Sequence, residues 1–175
     1  MAKTLFILMQ NYRDEEFTEP YTMLQQAGHI VDVAGLETGP AIGVNGHEHS
    51  PNLLFSDLSE AEFDQYDALV ISGGPGSKKY LWNNEAIYKT IQYFHENKKI
   101  VAAICYAVIA IVQTTILRNK HATVFPTDEA KAIFEEYGVR FSKSGCVTLA
   151  PEKIITAQGP KFAKEFGQAI IDLLK

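Results

Sequence analysis

Cys105 stands in the middle of an uninterrupted apolar run, Ile100-Val-Ala-Ala-Ile-Cys105-Tyr-Ala-Val-Ile-Ala-Ile-Val112. A thiol can attack a carbonyl carbon or be oxidised, and both reactions go through the thiolate. The run is too short to cross a membrane, which takes about 20 residues. It is too long for a single strand of about 5–6 residues. It reads instead as a buried strand, Ile100–Ile104, that turns sharply at Cys105 into a buried helix from Tyr106 onward. Such a turn brings the sulfur to the free N–H groups and dipole of a helix start, which favour a thiolate. A cysteine in an apolar run can equally serve as a small core side chain.

Two further groups can join that thiol. Ser72-Gly-Gly-Pro-Gly76 ends an apolar strand, Ala68–Ile71, and its glycines allow close backbone approach. Their N–H groups, with that of Tyr106, can bind an oxyanion as charge develops on a carbonyl. The acidic triplet Asp14-Glu15-Glu16 follows the first strand. A carboxylate from Glu15 or Glu16, held away from water beside Cys105, would have a raised pKa and could shuttle protons. As plain structure, the glycines make a turn and the triplet a solvated helix start.

The elements that must position these groups alternate in type. Lys3–Met9 reads as a first buried strand, followed by a helix with Pro20 near its first turns and Gly28 at its C′ position. His29–Ala34 alternates as a second strand, and residues 35–52 form a Gly/Pro-punctuated excursion suited to a small hairpin. Asn84 can cap a helix presenting Ile87, Ile91 and Phe94 on one face. His121–Phe125 and Cys146–Leu149 read as later strands around a helical stretch, Asp128–Tyr137. Phe162, Phe166, Ile170 and Leu173 mark a C-terminal amphipathic helix. This alternation predicts an α/β fold, an open and mostly parallel sheet with helices on both faces. Ligands in such sheets sit beyond the carboxyl ends of the strands, where the loop after the first strand, Gly73-Gly74 and Cys105 converge.

The chain of 175 residues is expected to form one domain over 1–175. Its 46% apolar and 21% charged residues suit a soluble globular protein. A net charge of −5 without a basic stripe argues against a nucleic-acid partner. Leu5–Met9 has neither the length nor the cleavage site of a signal peptide, so a cytoplasmic location is expected, with no membrane partner. Cys105 and Cys146 are then expected to be reduced, since nothing in their spacing requires a bridge.

These features together resemble the ThiJ/PfpI family, relatives of the class I glutamine amidotransferases. The resemblance spans nearly the whole chain. It includes Glu16 four residues before Pro20, Gly28-His29, and Tyr66-Asp-Ala-Leu-Val-Ile-Ser-Gly-Gly74. It continues through Val101-Ala-Ala-Ile-Cys105, Pro126 and Gln158-Gly-Pro160. The resemblance implies a flavodoxin-like three-layer sandwich, a homodimer or larger homo-oligomer, and no cofactor or metal. It makes Cys105 the reactive thiol and Glu16 the protonated acid that hydrogen-bonds to it. Gly74 and Tyr106 match the backbone donors of the oxyanion site.

Departures from the family pattern narrow the chemistry. Peptidase-like members carry His directly after the Cys, where this chain has Tyr106, a poor general base at neutral pH. Glyoxalase-type members often carry His just before the next Pro, where this chain has Phe125. His29 is expected to be structural, His95 solvated, and His121 distant from the carboxyl edge. His47 and His49 could reach a site across a dimer interface. Absence of the Cys-His pair favours a stress-related, redox-responsive protein whose Cys105 oxidises to sulfenic or sulfinic acid. The alternative is a cofactor-free glyoxalase or deglycase acting on small reactive carbonyls. An intracellular peptidase and an inert scaffold rank below both.

Overall fold

The apolar runs become the strands of one sheet in the computed structural model, which describes residues 1–175. In chain order the first half comprises β1 (Lys3–Leu8), α1 (Asp14–Gln26), β2 (Ile30–Gly35), β3 (Ala41–Ile42), β4 (Glu48–His49), β5 (Leu53–Leu54), α2 (Glu60–Phe63), β6 (Ala68–Ile71), α3 (Ser77–Tyr80) and α4 (Glu85–Glu96). The second half comprises β7 (Ile100–Ile104), α5 (Val108–Gln113), β8 (His121–Ala122), α6 (Asp128–Glu136), β9 (Arg140–Phe141), β10 (Cys146–Leu149), β11 (Ile154–Ala157) and α7 (Ala163–Leu173). The main sheet has seven strands in the order β10-β11-β7-β6-β1-β2-β5. All neighbours pair in parallel except β10, which runs antiparallel to β11.

Successive strand side chains point to opposite faces, so a strand buried at every residue is covered on both sides. β6, β7 and β11 are buried throughout, and β1 is buried from Thr4 to Leu8. Their covers are the packed helix pairs α1 with α7 and α4 with α5. Each fully buried Val, Leu or Ile contributes roughly 1.5–3 kcal/mol, so this central slab is a rigid platform for the loops at its edge. The expected mostly parallel α/β sandwich is what forms.

Local signals in the sequence set several element ends. Asn84 caps α4, its side chain accepting from the N–H of Ala86 at 3.1 Å and of Ile87 at 3.3 Å. Gly28 takes φ +83° after α1, and the N–H of His29 returns to Leu24 O at 3.0 Å. The excursion over residues 35–52 contains the expected hairpin, β3 paired antiparallel with β4.

One expected strand needs correction, and two other features of the fold go beyond the sequence pattern. Pro20 lies in the second turn of α1, where a proline removes a backbone hydrogen bond. Packing holds that turn: a methyl group on Gly167 of α7 would lie 3.1 Å from Pro20 Cα. The strand expected over His121–Phe125 shortens to β8 and leaves the main sheet to pair with β9. The strand that pairs with β7 is β11, which the sequence pattern does not announce.

Candidate active site

Four strand ends meet at one edge of the sheet. Ile71 of β6 pairs with Ala103 of β7, and Ile104 of β7 pairs with Ala157 of β11. The residues that follow, Gly73-Gly74, Cys105 and Gln158–Pro160, therefore emerge side by side. β1 lies between β6 and β2, so the chain's direction of growth reverses at its carboxyl end, where open α/β sheets form their ligand crevice. Two backbone bonds join the loops there, Arg13 N–H to Gly73 O at 2.9 Å and Gly76 N–H to Asn11 O at 3.0 Å. Glu16, in the first turn of α1, is thereby directed inward.

Cys105 sits on a strained elbow. Its φ is +60°, a left-handed conformation that non-glycine residues rarely adopt. The chain passes through a short 3-10 turn, Cys105–Ala107, into α5. Trp82 anchors that turn by donating its indole N–H to Tyr106 O at 2.8 Å. The sulfur faces the N–H groups of Tyr106 and Gly74 and the Glu16 carboxyl. All four sequence-predicted site residues thus come together. Glu15 does not join them; it turns aside to pair with Arg13 at 2.9 Å.

Gly73 and Gly74 make this convergence sterically possible. A methyl group on Gly74, at φ +127°, would come within 2.3 Å of Arg13 N. Gly74 therefore has to be glycine for both its conformation and its neighbour.

Glu16 is fully buried, and neither carboxyl oxygen completes a well-aligned hydrogen bond within the chain. Burial pushes its pKa up to about 8, partly offset by the adjacent Cys105 thiol and the Arg13 charge. Glu16 is thus mostly protonated at neutral pH. The thiol is also pushed up, first by burial and then by the Glu16 charge, while the N–H groups of Tyr106 and Gly74 pull it down. This corrects the expectation of a resting thiolate. Cys105 is only 5% exposed, and α5 is too short for its dipole to offset that desolvation.

The two groups open onto a cavity of about 220 Å3 walled by Arg13, Pro75, Tyr106, Phe125 and Pro160. A larger hollow of about 490 Å3 lies near Met1, Lys98 and Lys153 and contains neither cysteine nor histidine. No histidine lines the cavity that holds Cys105. His29 accepts from the Ala2 N–H at 3.2 Å, as its structural reading requires. His47 lies 2.6 Å from the Tyr12 hydroxyl, and His49 packs edge-on against Phe17. His121 is exposed in the small β8–β9 sheet. His95 departs from expectation: it is half-buried, its Nδ1 has no partner, and burial lowers its pKa. Phe125, directly before Pro126, lines the cavity with a ring that cannot exchange protons. Both cysteines are free, and no three His, Cys, Asp or Glu side chains are grouped to hold a metal ion. No helix is long and apolar enough to cross a membrane.

Comparison with known proteins agrees with this fold. An uncharacterized protein of Methanocaldococcus jannaschii is 33% identical over 175 residues, covering 99% of this chain and 83% of that protein. A protein named as a deglycase of Pyrococcus horikoshii is 32% identical over 124 residues, covering 71% of this chain and 72% of its own. Among solved structures, a ThiJ/PfpI domain protein from Brachyspira murdochii superposes with TM-score 0.89 at 27% identity, covering 98% of this chain and 95% of that one. Schizosaccharomyces pombe DJ-1 shares the fold, with TM-score 0.89 at 22% identity over 99% of this chain and 92% of its own. The model of the DJ-1/PfpI family matches residues 2–173, and the chain belongs to that family.

Proposed function

We propose that this protein is a cofactor-free enzyme acting on small reactive carbonyl compounds, with Cys105 as nucleophile and Glu16 as proton shuttle. The observation that carries this reading is the fully buried Glu16 carboxyl, which completes no well-aligned hydrogen bond and stands beside the thiol at a small cavity that opens to the surface. A buried acid with no partner needs an explanation, and a reacting oxygen in the cavity supplies one. An acid titrating near neutrality can both give and take a proton within one cycle. The deglycase name of the Pyrococcus horikoshii relative points to the same chemical class.

For a 2-oxoaldehyde the steps balance without any added oxidant. Cys105 Sγ bonds to the aldehyde carbon as the carbonyl π bond opens, and Glu16, entering as the carboxylate, takes the thiol proton and passes it to the oxygen. The product is a hemithioacetal, its developing alkoxide facing the N–H groups of Gly74 and Tyr106. Glu16 as carboxylate then removes the proton on the former aldehyde carbon and returns it to the neighbouring carbon, while the hemithioacetal hydroxyl proton passes to the neighbouring oxygen. That shift oxidises one carbon, reduces the other, and leaves a thioester. Water cleaves the thioester, releasing a 2-hydroxy acid and restoring the thiol. No histidine is needed at any step.

A second reading keeps the same residues. Oxidation of Cys105 to a sulfinic acid would place oxygens against the two N–H groups and the Glu16 acid, which suits a redox-responsive role. The sequence pattern favours this role, and like carbonyl attack it requires Cys105 to shed a proton that burial holds in place.

The test is conversion of methylglyoxal to lactate. The wild type is expected to form lactate, and Cys105→Ala none above buffer. Equal rates in both would overturn the enzyme. Absence of turnover, with Cys105 taking up two oxygen atoms under mild peroxide, would select the redox role.

A further inference from the structure

Phe125 is exposed over 40% of its surface, and its ring stands between two hollows. One is the Cys105 cavity; the other is an adjoining groove of about 330 Å3 that runs between Phe125 and Phe162. Phe125 and Pro160 line both. Both aromatic walls are seated on glycines. A methyl group on Gly159 would meet Phe125 Cδ2 at 3.1 Å, and one on Gly145 would meet Phe162 Cδ1 at 2.1 Å. Phe125 is braced from behind by Tyr106, edge to face at 5.5 Å. Pro126 adds a further apolar wall, and the Gln158 side-chain amide donates to Lys143 O at 3.1 Å. Lys161 is the one charged residue of the lining.

We propose that this groove is a subsite for a flat aryl substituent, so that the preferred substrate is an aryl-substituted 2-oxoaldehyde. Its carbonyls lie at Cys105 and its ring passes Phe125 to rest against Phe162. This deepens the carbonyl-enzyme reading and rests on it for turnover, although not for binding. The chemistry of the walls selects the occupant. An apolar cavity of about 150 Å3 already suffices for benzene, so the groove has room for a phenyl ring. Aromatic pairs gain from edge-to-face and offset contacts beyond simple burial, which two fixed Phe rings provide and an alkyl chain cannot use. An anionic substituent would meet a single cation, Lys161. Methylglyoxal has no ring to place in the groove and is accommodated in the Cys105 cavity alone.

The experiment has two arms. In the first, kcat/KM is measured for phenylglyoxal and methylglyoxal with the wild type, Phe162→Ala and Phe162→Leu. The wild type is expected to prefer phenylglyoxal by roughly ten- to a hundredfold, the range that a hydrophobic pocket can discriminate. Phe162→Ala should lose most of that preference while its rate with methylglyoxal stays within about twofold, because Phe162 does not line the Cys105 cavity. Phe162→Leu keeps apolar bulk without the ring and should lose part of the preference, which guards against misfolding of the alanine variant. In the second arm, Cys105 is alkylated with iodoacetanilide and with iodoacetamide, each rate normalised to free cysteine. The wild type should favour the anilide, and Phe162→Ala should not. Anilide preference without turnover of either aldehyde would keep the subsite and remove the enzyme reading. Equal normalised rates in wild type and Phe162→Ala would overturn the subsite whatever the turnover.

Discussion

Gly73 lies so close to Glu16 that a methyl group on its Cα would fall 2.5 Å from Glu16 Oε2. The same methyl would lie 2.7 Å from Cys105 Cβ and 2.3 Å from Ile104 O. Carboxyl and thiol can share one enclosure because position 73 has no side chain. Gly73→Ala should therefore destabilise the fold by about 1–3 kcal/mol through overpacking. It should also move Glu16 out of reach of the sulfur. Urea denaturation gives the first effect. The second appears as turnover lost by far more than the fraction of unfolded protein.

Glu16 makes stability depend on pH with a definite sign. An unfolded chain releases this proton near 4.5, whereas the folded chain keeps it to about 8. Between those values the folded state binds more protons, so stability falls as pH rises. The contribution is fully present below the unfolded value and gone above the folded one. Glu16→Gln, which never ionises, should match the wild type near pH 5 and exceed it by about 2–4 kcal/mol above pH 8. Denaturant midpoints at the two pH values check this.

The elbow should reverse the usual order of alanine and glycine. Left-handed backbone costs a non-glycine residue roughly 1–2 kcal/mol, and Cys105 holds φ at +60°. Cys105→Gly is therefore expected to be more stable than Cys105→Ala by about 1 kcal/mol, with both variants inactive. Thermal unfolding of the pair decides the point.

Asp14 fastens the β3–β4 hairpin to the start of α1. Its carboxylate accepts the N–H of His47 at 2.7 Å and of Asn45 at 2.8 Å. Asp14→Ala leaves both donors without their acceptor and should cost about 2–3 kcal/mol. Hydrogen exchange at the Asn45 and His47 amides should accelerate first, before exchange in the main sheet.

Much of this arrangement is legible in the residues. The apolar run around Cys105 cannot be one strand or one membrane span, so a strand–elbow–helix follows from length alone. Asn84 and Gly28 act locally, through a cap and a left-handed turn, and local signals survive folding. β11 is different: Ile154–Ala157 is a short apolar stretch between Lys153 and Gln158, and only pairing with β7 makes it a strand. Pro20 is a related case, because its tolerance inside α1 comes from contact with Gly167, distant in sequence. The site residues converge as their strand ends require. Their protonation states do not follow from residue type, because burial is a property of the assembled core. A helix start suggests a thiolate; the enclosure around Cys105 holds a thiol and an acid.

The coupling of Cys105 to Glu16 is most directly tested by alkylation of Cys105 across about pH 5 to 10, in wild type and in Glu16→Gln. Peptide mass separates Cys105 from Cys146, whose thiol burial pushes up to about 12. The wild-type rate should climb through a step near pH 8, where the pair gives up its first proton, and Glu16→Gln should lack that step. Superimposable profiles would mean that Glu16 does not control the sulfur, and would contradict the account.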